Sequence, residues 1–138
     1  MAQVIDMQTM RHLNLFGKIT RISTRFCFTH NNTIFFCVPR QLVSRAIGRE
    51  GANIKQIHNI LRKRVKIIPQ PRGPQDMKSF IEAIVAPIKV NELEIQNGVA
   101  IASGSRQSKA ALIGRNKRRL IEMQKIISDF FRLDFRVG

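Results

Sequence analysis

Ile47-Gly48-Arg49-Glu50-Gly51-Ala52-Asn53-Ile54-Lys55-Gln56-Ile57 is the stretch that decides how the chain folds. Two glycines three residues apart separate a short helical turn over 41–47 from a helix over 52–62, in which Ile54, Ile57 and Leu61 recur at i, i+3 and i+7. Without Cβ atoms, the glycines let the main chain turn sharply and approach a ligand closely. The helix that follows opens with amide N–H groups that have no intrahelical partner and sit at the positive end of the helix dipole. A phosphate suits such a place. Arg45, Arg49 and Lys55 surround it with positive charge.

Outward from this stretch, the order of elements occurs twice. Asp6 is expected to cap a first helix carrying Met7, Met10 and Leu13, which Gly17 stops. Residues 24–30 and 33–39 are aromatic-rich and extended, and Asn31-Asn32 between them predicts a hairpin. After the glycine stretch, Val65-Lys66-Ile67-Ile68 reads as a strand. Gln70-Pro71-Arg72-Gly73-Pro74 then reads as a connection. Asp76 is expected to cap a helix with Met77, Phe80, Ile81 and Ile84, which Pro87 ends. Residues 88–96 alternate with one slip, Asn97-Gly98 is a strong turn signal, and Val99 to Ala102 return as a strand. Helices over 106–113 and 117–131 and a strand with Leu133, Phe135 and Val137 complete the second set. Gly48 matches Gly114, an offset of 66 that also pairs Ile47 with Ile113, Ile54 with Leu120 and Ile57 with Met123. The expected fold class is α+β: a domain over 1–70, a connection over 71–75 and a domain over 76–138. Each domain would be a three-stranded sheet with helices on one face.

The 138 residues include 24 Lys and Arg against 9 Asp and Glu, a net charge of +15 with a pI of about 11.5. Residues 1–69 hold 12 basic and 2 acidic residues, and residues 70–138 hold 12 and 7. A polyanion is the leading partner. No apolar run approaches the roughly 20 residues that span a bilayer, so no membrane partner is expected. The N-terminal residues lack a signal-peptide pattern, and a cytoplasmic location follows as the expectation. Cys27 and Cys37 read as reduced, half-buried thiols, with a cross-hairpin disulfide as the alternative. His12, His30 and His58 have no metal-ligand spacing, no phosphate loop ending in Gly-Lys-Ser/Thr is present, and no nucleophile has a paired base. No enzyme activity, cofactor, metal or small-molecule substrate is expected. Phe26, Phe28, Phe35 and Phe36 are read as core rather than stacking platforms. Arg62-Lys63-Arg64 is read as a solvated helix end, with direct contact to the polyanion as the lesser alternative.

Ile-Gly-x-x-Gly-x-x-Ile-x-x-Ile at 47–57 resembles the signature of the KH domain, whose GXXG loop holds the backbone of about four single-stranded nucleotides. The element order resembles the type II KH arrangement. Two such domains in tandem resemble the RNA-binding half of the NusA family, and the short archaeal form of that family is a KH pair. Cys27-Phe28, Ile34-Phe35-Phe36-Cys37-Val38, Phe80-Ile81 and Ala86-Pro87-Ile88-Lys89-Val90 carry the likeness beyond the loops. The resemblance implies single-stranded RNA as partner, with the transcription machinery as a further partner class. It implies RNA-binding residues at Gly48, Arg49, Glu50 and Gly51, flanked by Arg45, Ala52, Asn53 and Lys55, with Ala46, Ala52 and Asn53 as candidates to line the groove that holds the bases. In the second domain it implies Gly114, Arg115, Asn116 and Lys117, followed by Arg118 and Arg119. Two departures stand out: Glu50 puts a carboxylate in the first loop, and Lys117 replaces the closing glycine of the second. The second loop is therefore expected to touch phosphate by side chain rather than backbone, or to bind elsewhere along the strand. The implied role is non-catalytic action on nascent transcripts in termination or antitermination. Ribosome-associated RNA binding is the alternative, and a protein adaptor that has lost RNA binding is a third reading.

Overall fold

The two hairpin turns set strand register in a computed structural model that describes residues 7–138. Asn31 and Asn32 have φ of 50° and 59°, and Asn97 and Gly98 have φ of 49° and 77°. Positive φ at both central residues is what a two-residue hairpin turn of matching twist requires. The turns join β1 (Phe26–His30) to β2 (Thr33–Val38), and β4 (Glu92–Gln96) to β5 (Val99–Ser103), each pair antiparallel. A third strand then joins each sheet in parallel: β3 (Arg64–Pro69) beside β2, and β6 (Asp134–Val137) beside β5. A parallel neighbour needs a long crossover. Helices α2 (Val43–Ile47) and α3 (Ala52–Leu61) supply it in the first sheet, and α5 (Arg106–Ile113) and α6 (Arg118–Phe131) in the second. With α1 (Met7–Thr20) and α4 (Met77–Val85) leading each set, helix–strand–strand–helix–helix–strand occurs twice, as two tandem α+β units of KH type. The units divide as Met1–Gln70 and Pro71–Gly138.

In the first unit, Cys27, Ile34, Phe36, Val38 and Ile67 point to the helix side, where they meet Phe16, Ala46 and Ile57 in one buried cluster. Phe16 stacks on Phe36 with centroids 4.5 Å apart. Burying one such ring contributes roughly 1.5–3 kcal/mol. Phe35 and Cys37 alternate to the other side and are also buried, which is why β2 reads as an unbroken apolar run. Phe28 stacks on Phe35 at 5.3 Å, and Phe26 and Phe28 are half-buried. In register, Cys27 lies opposite Phe36 and Cys37 opposite Phe26, so the two thiols face opposite sides of the sheet. Neither takes part in a disulfide, which disposes of the cross-hairpin bridge. Burial, with Cys27 nearby as a lesser cause, pushes the Cys37 thiol well above its ordinary range. In the second unit, Met77, Phe80, Ile81 and Ile84 form the buried face of α4, and Met123, Ile126 and Ile127 that of α6. Phe80 packs against Phe130 at 4.8 Å.

Several expectations are corrected. Asp6 lies outside the described residues. Gly17 does not stop α1, which runs on to Thr20. There the Thr20 hydroxyl donates to the Phe16 carbonyl and accepts from the Ile22 amide. Asp76 stands at the N-cap position of α4 but does not cap it: its carboxylate accepts from the amide and Nε of Arg72, which holds the Arg72 guanidinium above its ordinary pKa. The expected strand over 88–96 is confined to Glu92–Gln96, because residues 88–91 follow the end of α4 as loop. The last long helix starts at Arg118, so Lys117 belongs to the loop.

Three helices end on an arginine with left-handed backbone: Arg21 after α1, Arg62 after α3 and Arg132 after α6, at φ of 61°, 59° and 57°. Their amides donate to the carbonyls of Gly17, His58 and Ser128, four residues back. Glycine is the usual residue at such a position. A cation there offsets the negative end of the helix dipole.

Candidate nucleic-acid interface

The loop at 48–51 is built from three unusual backbone conformations. Gly48 lies at φ 85°, ψ 168°, a region open to glycine and almost nothing else. Glu50 and Gly51 follow in the left-handed region, at φ 54° and 74°. The Gly48 amide closes α2 by donating to the Ser44 carbonyl, and the Gly51 amide donates to the Gly48 carbonyl at 3.1 Å. The two glycines are needed for different reasons. A Cβ on Gly48 would stand 2.9 Å from the Asn53 amide nitrogen, a collision with main chain. A Cβ on Gly51 would meet nothing closer than 3.8 Å, so glycine is favoured there by its φ alone. No side chain caps the first turn of α3; the Ala52 amide already donates to the Arg49 carbonyl, which leaves the next amides of the turn without a side-chain acceptor.

The loop at 114–117 repeats this geometry almost angle for angle. Gly114 lies at φ 73°, ψ 174°, Asn116 at φ 57°, ψ 28° and Lys117 at φ 59°, ψ 21°. Glu50 and Gly51, the matching residues, lie at φ 54°, ψ 28° and φ 74°, ψ 19°. The Lys117 amide donates to the Gly114 carbonyl at 3.2 Å, as Gly51 does to Gly48. Lysine in place of glycine therefore keeps the turn, at a conformational cost of roughly 1 kcal/mol. Gly114 is also required by close approach: its Cβ would lie 2.9 Å from the Cγ of Arg119.

Each loop is braced by the same bond. Asn53 donates from Nδ2 to the Arg45 carbonyl, and Arg119 donates from Nη1 to the Ala111 carbonyl, both at 3.4 Å. Asn53 and Arg119 are related by the offset of 66, as are residues 45 and 111. This bracing role went unread in the sequence, although the offset alone pairs the two polar side chains.

The expected site residues are placed as follows. Arg45, Arg49, Glu50, Ala52 and Lys55 are exposed around the first loop, and Arg115, Asn116, Lys117 and Arg118 around the second. Asn53 and Arg119 are half-buried, as are Gly48, Gly51 and Gly114. Ala46, expected to line a groove, is 0% exposed and belongs to the core cluster. An open depression of about 500 Å³ between α1 and residues 21–24 contains none of these residues. Among the described residues no group of three or more His, Cys, Asp or Glu could hold a metal, and no helix is long and apolar enough to cross a membrane.

Comparison with known proteins bears on what this arrangement serves. No family model matches the chain. It is 30% identical over 129 residues to the probable transcription termination protein NusA of Halococcus morrhuae, covering 87% of this chain and 91% of that protein. The protein of the same description from Thermoplasma acidophilum is 23% identical over 134 residues, 94% of this chain and 91% of that one. That from Methanocaldococcus jannaschii is 26% identical over 132 residues, 92% of this chain and 70% of that one. Among solved structures, the crystal structure of APE1850 is similar in fold, with a TM-score of 0.66 at 23% identity over 96% of this chain and 99% of that one.

Proposed function

The chain belongs to the archaeal NusA family, and from that premise we propose that it binds single-stranded RNA on nascent transcripts, in termination or antitermination, through its two loops. The observation that carries this reading is the main chain at 48–51. Its glycines leave a bare surface in front of the uncapped start of α3. Amides at a helix start favour an anion, and Arg45, Arg49 and Lys55 raise the local concentration of one. A sugar–phosphate backbone presents anions at regular spacing, and an unpaired strand leaves its bases free to be read. Glu50 lies beside the same dipole, where a carboxylate is tolerated, and its charge sets a limit on affinity at the first loop.

Two loops on one chain make the second contact intramolecular. Effective concentration then multiplies two modest affinities. Binding through phosphate releases counterions, so affinity falls with salt by about 0.7 decade per decade for each phosphate neutralised on a single strand. RNA in the transcription machinery is the setting this reading implies, and the cytoplasm its location.

The test is fluorescence anisotropy of a single-stranded oligoribonucleotide with the full chain and with Gly51→Asp. This position accepts a side chain without collision, so the variant stays folded by circular dichroism. The expected result is a loss of affinity of at least about tenfold, equivalent to 1.4 kcal/mol. Wild-type affinity in the folded variant would remove the loop from the mechanism.

A further inference from the structure

The two units differ sharply at the far end of the helix that follows each loop. Helix α3 ends at Arg62, and Lys63, Arg64 and Lys66 follow, all exposed. Helix α6 ends at Arg132, and Leu133, Asp134 and Arg136 follow. The positions are matched by register: Arg64 stands opposite Thr33 as Asp134 stands opposite Val99, and Lys66 opposite Phe35 as Arg136 opposite Ile101. In both units the left-handed arginine completes the helix end in the same way. One cation therefore suffices for the cap, and Lys63 and Arg64 are surplus to it. Adjacent like charges repel, and no Asp or Glu occurs anywhere from 51 to 75 to offset them. The turn that carries the cluster is tied to the helix, because the His58 ring donates from Nδ1 to the Lys63 carbonyl at 2.8 Å.

A polar track leads there from the glycine loop. Lys55 and Asn59, spaced i and i+4 and both exposed, share the outer face of α3, and the exposed Arg62 follows its last turn. The ten residues of that helix span about 15 Å, so the cluster lies about that far along the helix from the glycine loop. We propose that Arg62, Lys63, Arg64 and Lys66 form a second phosphate-contacting site on the first unit, reached by one RNA strand that leaves the glycine loop along the outer face of α3. This rests on the reading of 48–51 as an RNA-binding loop. It extends that reading to a longer footprint and to a difference between the units: the first follows a strand beyond the loop, and the second does not.

The experiment exchanges residues the fold already carries at the matched place. Lys63→Leu/Arg64→Asp copies the second unit and leaves the Arg62 cap in place, while Lys63→Gln/Arg64→Gln removes charge without reversing it. The full chain is titrated with oligoribonucleotides of about four nucleotides, the length one loop holds, and with others about three times as long. Both variants are expected to bind the short oligomer within about twofold of wild type. They are expected to bind the long one at least about tenfold more weakly, with a salt slope lower by about 1.4. Unchanged binding of the long oligomer would overturn the proposal and leave the cluster a solvated helix end. Equal weakening at both lengths would overturn it in favour of a diffuse field. Gly51→Asp, run in parallel, separates the two readings. If it leaves both lengths unaffected while the cluster variants lose only the long oligomer, the loop reading fails and the cluster site stands.

Discussion

Loops 48–51 and 114–117 follow one backbone path with different chemistry along it. The first presents two glycines, an arginine and a glutamate; the second presents one glycine, an asparagine and a run of cations through Arg119. The shared path shows which residue the turn cannot do without. Gly48 and Gly114 both sit where a Cβ would collide, at 2.9 Å. Gly51 sits where a Cβ would fit, and its counterpart is lysine. The fourth position is thus free to trade conformational ease for charge, and the second unit has made that trade. On the proposed reading, the first loop would meet an anion mainly with its main chain and the second with ammonium and guanidinium groups.

The largest effect that would sharpen this comparison comes from the leading glycines. Gly48→Ala is expected to cost unit 1 about 3 kcal/mol, near the top of the range for strained backbone, because the collision is with main chain. Gly114→Ala is expected to cost about 1–2 kcal/mol, because the neighbour is the side chain of Arg119, which can shift. The buried thiols allow the units to be followed separately, since Cys27 and Cys37 both lie in the first. A neutral thiol well above its ordinary pKa resists alkylation while folded. Gly48→Ala should therefore speed iodoacetamide labelling and Gly114→Ala should not. Equal labelling in both variants would break the distinction.

Next in size is the exchange of the fourth residue. Lys117→Gly should stabilise the second unit by about 1 kcal/mol, and Gly51→Lys should destabilise the first by about the same, each read from urea unfolding. The same Lys117→Gly chain should show an RNA salt slope lower by about 0.7 if the ammonium neutralises a phosphate. An unchanged slope would mean that Lys117 only tolerates its position. Smallest is the effect at the helix ends. Arg62→Gly and Arg132→Gly each relieve a left-handed residue and remove a cation from the negative end of a dipole, so stability should change by less than about 0.5 kcal/mol in both. A loss above that would mean that these side chains make contacts of their own.

Much of the fold was legible because its decisive signals are local. Asn31-Asn32 and Asn97-Gly98 take positive φ as their residue types allow, and the offset of 66 relates the two hairpins and the two loops. The failures share a different cause: the outcome depends on partners distant in sequence or on competition between nearby ones. Gly17 looked like a helix stop, yet Thr20 and Arg21 end α1 one turn later. Asp76 looked like a cap, yet Arg72 takes its carboxylate. Ala46 looked like a groove residue because it flanks the loop, and only packing against Phe36 and Ile57 shows that it faces the core. The loop residues themselves could be read from spacing. Their bracing by Asn53 and Arg119 could not, because the acceptors are carbonyls eight residues back on the preceding helix.

The most direct measurement follows the backbone amides of the full chain by NMR while a short single-stranded oligoribonucleotide is added. The account predicts that the amides of Gly48, Arg49, Glu50 and Gly51, with those opening α3, shift first and furthest. If those amides stayed still while residues far from either loop moved, the claim that this bare main chain grips the RNA backbone would be contradicted.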